Sequence, residues 1–355
     1  MSAAPLEGTR LTFMPRFYTH LAEALAEGQP FALGIITGVK GSSPQKKGAK
    51  ALFFADGRIK GTLGGGCLEA EVQSRASSAL LTQTPAAFEL VLDHDFGWDD
   101  GLICGGSVCG LILPHAAQAR EIWQKLAQSS ETLTWGVKKD FSIAWVTGAE
   151  PVEWLYQETV SPPCALWIAG SGHVAQAVAP WALKLDFDVT VFDDRPMLAN
   201  PQFFPAETRF RVDYWEKLLA DPLPASPAFG LIVTRGHQHD ALVLRHWIRQ
   251  PFVFLGMIGS ARKWRIISEQ FVQDGLATRE QLDRVACPVG LPIQAVGVQE
   301  IAVSILAQYV QKRAELKAVT NAQRSETKPL GLVLSLKSEA RNPKQAPSES
   351  SSADL

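Results

Sequence analysis

Cysteine is scarce in this chain, with five among 355 residues. An odd number of widely spaced cysteines excludes a disulfide framework and points to a reducing compartment, where free thiols can react. Paired Cys-x-x-Cys motifs are missing, which excludes a zinc ribbon. No run of about 18 apolar residues occurs, so no membrane-spanning helix is expected. The opening MSAAPLEGTRLTFMPRFYTH has no basic segment leading into an unbroken apolar one, and no signal peptide is read there. Charge of one sign is lacking too. Lys and Arg number 34 against 36 Asp and Glu, for a net charge of -2, which argues against nucleic acid as a partner. No Gly-x-x-x-x-Gly-Lys phosphate loop, no strong Tyr-x-x-x-Lys pair and no internal repeat is found. The expectation is a soluble cytoplasmic protein with neither nucleic acid nor membrane as partner.

Hydrophobic residues make up 46% of the chain, ample for packed cores, and the length suits about two domains of roughly 150 residues each. Residues 1–156 read as a mixed α+β domain. Helical spacing of Phe17, Leu21 and Leu25 is followed by strand runs at 31–39, 87–95 and 107–114 and a hairpin about Asp56-Gly57. Helices fit 67–81 and 116–128, and a last strand pair fits TLTWGVKK and FSIAWVTG. Residues 157–164, with Pro162 and Pro163, read as a linker. From 165 to 317 apolar runs alternate with helices, the rhythm of a parallel sheet covered on both faces. Residues 318–355, rich in Ser, Lys, Glu, Gln and Pro, are expected to be disordered. LGLVLSL within them could pair as a strand or bind a partner. The fold class is therefore α/β, an α+β domain followed by a Rossmann-like domain and a tail.

LWIAGSGHVAQAVA (166–179) is a strand, a glycine turn and a helix. Gly170 permits the tight turn, and Gly172 lets backbone approach a phosphate at the helix N-terminus, with Ala175 in the third position. Asp193 ends the next strand, where an acidic residue can bond ribose hydroxyls. Loops after parallel strands gather at one edge. They would bring together His173, Arg195, Arg235, His237, His239, Asp240, Gly259, Ser260, Arg262 and Lys263, a cationic set able to hold phosphates or, residue by residue, a set of solvated charges. His237-x-His239-Asp240 could hold a metal, but no distant third ligand is evident, and Asp240 reads better as a helix cap.

In the first domain GTLGGGCLEAEV (61–72) sets Gly64, Gly65 and Gly66 before Cys67. The glycines would let backbone approach a ligand, and a helix start is a place where free amides favour a thiolate. The plainer alternative is a tight turn with a buried cysteine. In ICGGSVCG, Cys104 reads as the more exposed thiol and Cys109 as core, while Cys164 and Cys287 read as structural. Lys40, Lys46, Lys47, Lys50, Arg58 and Lys60 face one acid, Asp56, which makes a positive field for an anionic ligand or a solvated hairpin face. Residues 89–101 are acidic, either an exposed loop or a partner surface.

GSSPQKKGAK, GTLGGGCLEAEV, CGGSVCG, IAGSGHVAQAVA, FDDRP, TRGHQHD, GMIGSARK and CPVGLPIQAVGVQEIAVSILA, in this order from about 31 to 315, closely resemble the XdhC/CoxI family, accessory proteins of xanthine dehydrogenase and related molybdenum hydroxylases. AVGVQEIAVSI departs from the Thr-Pro-Glu-Glu-like run frequent there. The resemblance implies a homodimeric chaperone that binds molybdenum cofactor, as molybdopterin or its cytosine dinucleotide. It protects the cofactor during sulfuration by a cysteine desulfurase and delivers it to the apo-hydroxylase. Cys67 and Cys104 would contact sulfur or molybdenum. Gly64–Gly66, Lys46, Lys47, Lys50, Gly170, Gly172, His173, Asp193, Arg235, His237, Gly259, Ser260 and Arg262 would bind cofactor. No metal site of the protein's own is expected. The competing expectations are an NAD(P)-dependent oxidoreductase, resting on Gly170, Gly172 and Asp193, and a nucleotide-binding regulator or nucleotidyltransferase.

Overall fold

The computed structural model describes residues 10–12, 15–43, 45–92, 106–147 and 153–325. Cys104, most of the acidic stretch and the segment holding LGLVLSL lie outside the described residues.

The first domain is built on a five-stranded antiparallel sheet. Its strands are β2 (Phe31–Lys40), β3 (Lys50–Phe54), β4 (Ile59–Gly61), β5 (Ala86–Leu92) and β6 (Gly106–Leu113), in the order β4-β3-β2-β6-β5. Alternate residues face opposite sides, as the pleat requires. Leu33, Ile35, Leu52, Phe54, Leu111 and Leu113 pack under α1 (Pro15–Glu27) and α3 (Arg120–Gln128). Ala32, Ile36, Ala51, Phe53, Val108 and Ile112 pack under α2 (Gly66–Thr82), which presents Leu68, Val72 and Ala76 at helical spacing. A second sheet holds β1 (Arg10–Thr12), β7 (Leu133–Lys138), β8 (Ile143–Trp145) and β9 (Trp154–Val160), in the order β1-β9-β7-β8. Its Trp135, Val137, Tyr156 and Val160 close the α1/α3 core.

Strand β9 corrects the expected linker. Residues 157–160 pair with β7 (Leu133↔Val160 through Gly136↔Gln157), and Cys164 already begins the next strand. The connection shrinks to Ser161, Pro162 and Pro163. The prolines drew the reading of a longer break, yet they sit just past the last paired residue, where no ladder donor is needed.

The second domain is a six-stranded parallel sheet of β10 (Cys164–Ala169), β11 (Phe187–Asp193), β12 (Arg209–Val212), β13 (Ala228–Ile232), β14 (Phe254–Met257) and β15 (Val285–Ala286). The order is β12-β11-β10-β13-β14-β15. The chain starts in the middle, fills one side, then returns to fill the other, which is the doubly wound arrangement of Rossmann domains. One face is covered by α4 (His173–Lys184) and α9 (Val298–Ser325), and the other by α5 (Trp215–Leu218), α6 (His237–Trp247), α7 (Ala261–Gln273) and α8 (Arg279–Asp283). Helix α9 runs past the expected end at 317, so residues 318–325 are helical rather than tail. Among the described residues no helix is long and apolar enough to cross a membrane.

Candidate functional site

The registers place three sequence motifs at one edge of the five-stranded sheet. Lys40, the last residue of β2, pairs with Ser107 near the start of β6, and Leu92 at the end of β5 pairs with Gly106. Ala51, near the start of β3, pairs with Gly61 at the end of β4. The 41–49 loop, the 62–66 turn and the entry to β6 therefore share that edge. The 41–49 loop touches the entry to β6, since a Cβ at Gly106 would lie 2.1 Å from the Ser42 carbonyl oxygen, and within the β3–β4 pair a Cβ at Gly61 would lie 2.5 Å from that of Lys50. Both glycines are needed for close backbone approach.

Gly64, Gly65 and Gly66 have φ of 125°, 73° and 58°, all in the left-handed half of conformational space. An added Cβ at Gly65 or Gly66 would meet nothing within 4 Å. Conformation demands glycine at these two positions, and the space beside the backbone stays open. Half-buried Cys67 follows at the start of α2, where amides of the first turn have no intrahelical acceptor. The turn is braced from the helix. One Glu69 oxygen, Oε2, accepts the Leu63 amide at 2.8 Å and the Thr62 hydroxyl at 2.8 Å. Sequence reasoning missed Glu69, because Thr62 lies seven residues before it and outside the helix, where no capping pattern points to the contact.

The basic loop is sparser than composition suggested. Arg58 pairs with Asp56 at 2.7 Å, and Lys60 lies 3.7 and 3.8 Å from Glu23 and Glu27. Lys40 and Lys46 are exposed and Lys47 is half-buried. Lys50, expected to face the ligand, is instead enclosed. Its side chain is 2% exposed and 2.9 Å from Glu158, itself 1% exposed. Beside that carboxylate, Tyr18 donates to Glu158 at 2.6 Å. Burial first, and the Glu158 charge second, hold the Tyr18 phenol well above its ordinary pKa. Cys109 stands opposite Glu89 in the β5–β6 ladder. Partial burial and then the Glu89 charge raise its thiol pKa, and it is half-buried rather than core.

In the second domain the loops do converge at the C-terminal edge of the parallel sheet, but their charges are engaged with one another. Asp193, expected to bond a ribose, is 1% exposed. Its carboxylate accepts the Ser171 amide at 2.7 Å and hydroxyl at 2.8 Å, and the Arg195 amide and guanidinium at 2.8–2.9 Å. Burial raises its pKa, and the Arg195 and Ser171 hydrogen bonds more than reverse this, leaving it below the ordinary carboxylate value. With five donors already placed, no acceptor position is left for a vicinal diol. Asp193 is a clamp between the glycine loop and the 193–195 turn.

Asp240 plays the matching part across the crevice. It is 1% exposed and accepts the Thr234 hydroxyl at 2.6 Å and the Lys263 ammonium. It does not cap α6, whose N-cap is Gly236 without a side-chain bond. Arg235 reaches from the loop after β13 to Asp194, after β11, at 3.0 Å, and to His239 at 3.3 Å. Since β10 lies between those strands, this bridge spans from one side of the glycine turn to the other. His173 and His237 open α4 and α6 and are exposed, as is Arg262 in the first turn of α7. Ser260 caps α7 by accepting the Lys263 amide at 3.2 Å. Gly259 is where a Cβ would press on Lys263 and on the Cys287 sulfur at 3.2 and 3.3 Å. Burial pushes the Cys287 thiol up to about 11. No group of three metal-ligating side chains occurs among the described residues.

Fold and site together define a two-domain protein, with a glycine-cysteine edge on an α+β domain and a Rossmann domain whose Asp193 carboxylate is already bonded to Ser171 and Arg195. A profile described as the XdhC Rossmann domain matches residues 166–309, and one described as the XdhC and CoxI family matches residues 24–93. Together they cover more than half of the chain, and the protein belongs to the XdhC and CoxI family. It is 29% identical over 295 residues to the uncharacterized protein YqeB of Escherichia coli, covering 83% of this chain but 46% of YqeB. The chain thus spans less than half the length of that relative. It is 25% identical over 342 residues to a probable xanthine dehydrogenase subunit of Bacillus subtilis, covering 86% of this chain and 100% of that one. It is 23% identical over 298 residues to the molybdenum cofactor insertion chaperone PaoD of E. coli, covering 82% and 86%. A crystal structure described as a xanthine dehydrogenase from Bacillus halodurans superposes with a TM-score of 0.73 at 26% identity, covering 84% of this chain and 96% of that one.

Proposed function

We propose that the protein binds molybdenum cofactor, as molybdopterin or its cytosine dinucleotide, and hands it to an apo-hydroxylase of the xanthine dehydrogenase type. The observation that carries the reading is a sheet edge shared by an open run of left-handed glycines, a half-buried thiol and the exposed Lys40 and Lys46. The cargo is a phosphate-bearing pterin with a thiophilic metal, and that edge offers a partner for each part. The lysines attract the phosphate. The glycine backbone lets the pterin lie close. Cys67 stands where it can approach the metal or carry sulfur, and Cys104, outside the described residues, is a second candidate for that role. The names of PaoD and of the B. subtilis relative support the same client class.

In this reading the chain holds the cofactor while an oxo ligand is exchanged for sulfur from a cysteine desulfurase, and it works as a homodimer in the cytoplasm. His173, Arg235, His237 and Arg262, with Gly170, Gly172, Gly259 and Ser260, line the second crevice and receive the nucleotide end of a dinucleotide cargo. Asp193 counts against nicotinamide binding, because its oxygens are already bonded. The test is pterin and molybdenum per chain after purification from cells that make the cofactor, beside a titration with NADH and NADPH. Near-stoichiometric pterin without nicotinamide binding supports the proposal. Tight nicotinamide binding without pterin would overturn it.

A further inference from the structure

We propose that Lys50 and Glu158 are positioning residues for the cargo loop, although neither touches the cargo. The inference rests on the reading that the 41–49 loop binds an anionic ligand. Lys50 Nζ lies 2.9 Å from both Glu158 oxygens and donates to the Gly48 carbonyl at 2.7 Å. Glu158 is fixed in turn by the Tyr18 hydroxyl at 2.6 Å, which accepts from Trp135 Nε1 at 2.9 Å. Gly48 is held at both its carbonyl and its amide. Its φ is 92°, its amide donates to the Ile36 carbonyl at 2.7 Å, and a Cβ there would lie 3.4 Å from the Tyr156 hydroxyl.

The pair also joins the two sheets of the first domain, since Lys50 opens β3 and Glu158 lies in β9. A buried ion pair is a poor way to gain stability, because well-packed apolar residues of similar volume serve as well or better. An apolar pair would not supply a directed donor to the Gly48 carbonyl, whereas an ammonium has three donors and can serve both acceptors at once. Lys46 and Lys47 immediately precede Gly48, so pinning Gly48 fixes where those two side chains leave the backbone.

Lys50→Met/Glu158→Gln removes both charges, keeps the volume and leaves an acceptor for Tyr18. The full-length variant is compared with the parent by circular dichroism, by hydrogen exchange at the Gly48 and Ala49 amides, and by the pterin and molybdenum it carries from cofactor-making cells. The expected result is a folded protein whose two amides exchange about tenfold faster and whose cargo falls about tenfold, the lower end of the loss seen when a group that orients binding residues is removed. Unchanged exchange, or unchanged cargo, in the folded variant overturns the inference. Should the double variant not fold, Lys50→Met alone, which removes the donor to Gly48 while Glu158 keeps the Tyr18 hydroxyl, is read in the same way. A parent protein carrying no pterin would remove the proposed function instead, and the exchange measurement would still show whether the pair holds the loop.

Discussion

Cys67 and Cys287 are both half-buried thiols, and their surroundings separate them. Cys67 follows the open glycines at a helix start, whereas Cys287 packs against Gly259 and Lys263 with burial pushing its thiol up to about 11. Cys67→Ser should leave the melting temperature unchanged and lower cofactor transfer to an apo-hydroxylase by about tenfold or more, on the scale of a lost catalytic contact. Cys287→Ser should leave transfer intact. Equal transfer by both variants would reduce Cys67 to packing. Asp193 makes a prediction in pH. Its folded pKa is depressed, so it contributes stability above its unfolded value of about 3.9, and this is lost as pH falls through the folded value. Asp193→Asn should destabilise the second domain by about 1–3 kcal/mol near neutrality, the cost of leaving buried donors without their acceptor, and should flatten the acid limb of stability against pH. An Asn variant with the parent's acid limb would show that Asp193 is not the group titrating there.

At the scale of elements, helix α7 depends on a single cap. Ser260 accepts the Lys263 amide, and Ser260→Ala should cost about 1 kcal/mol in chemical denaturation. A cost near zero would mean that the first turn is held by the Lys263–Asp240 pair instead. The elements that could be read from sequence have their signals within a few residues. Leu68, Val72 and Ala76 mark α2, the Asp56-Gly57 turn marks the β3–β4 hairpin, and the glycines between two apolar runs mark β10 and α4. What escaped was set by partners far along the chain. Strand β9 is masked by the prolines that follow it, and β12 (Arg209–Val212) has exposed residues on an edge and no apolar run to betray it. The two-residue β15 is defined only by pairing with β14. The candidate site follows the same rule. Its glycines and cysteine were legible in place, but whether a charge is free was not, because Glu158 lies 108 residues from Lys50.

Over the whole molecule, the four apolar clusters divide cleanly, two within the first domain and two within the second. Among the described residues the halves are joined by Ser161–Pro163, by the approach of α9 to β1, and by surface contacts such as Arg16 with Asp186 at 3.8 Å. Helix α9 belongs to the second core, where Tyr309 is fully buried between Phe229 and Phe254 and donates to the Gly230 carbonyl at 2.6 Å. Tyr309→Ala should therefore leave a cavity, at a cost of about 3–5 kcal/mol by analogy with large-to-small aromatic changes. That loss should fall on the second domain alone. Hydrogen exchange in denaturant should show faster opening of the β13 and β14 amides, while those of β2 and β6 keep the parent's protection. If both sets lost protection by the same amount, the domains would form one cooperative unit. The short connection and the α9–β1 approach would then hold the two cores together through unfolding.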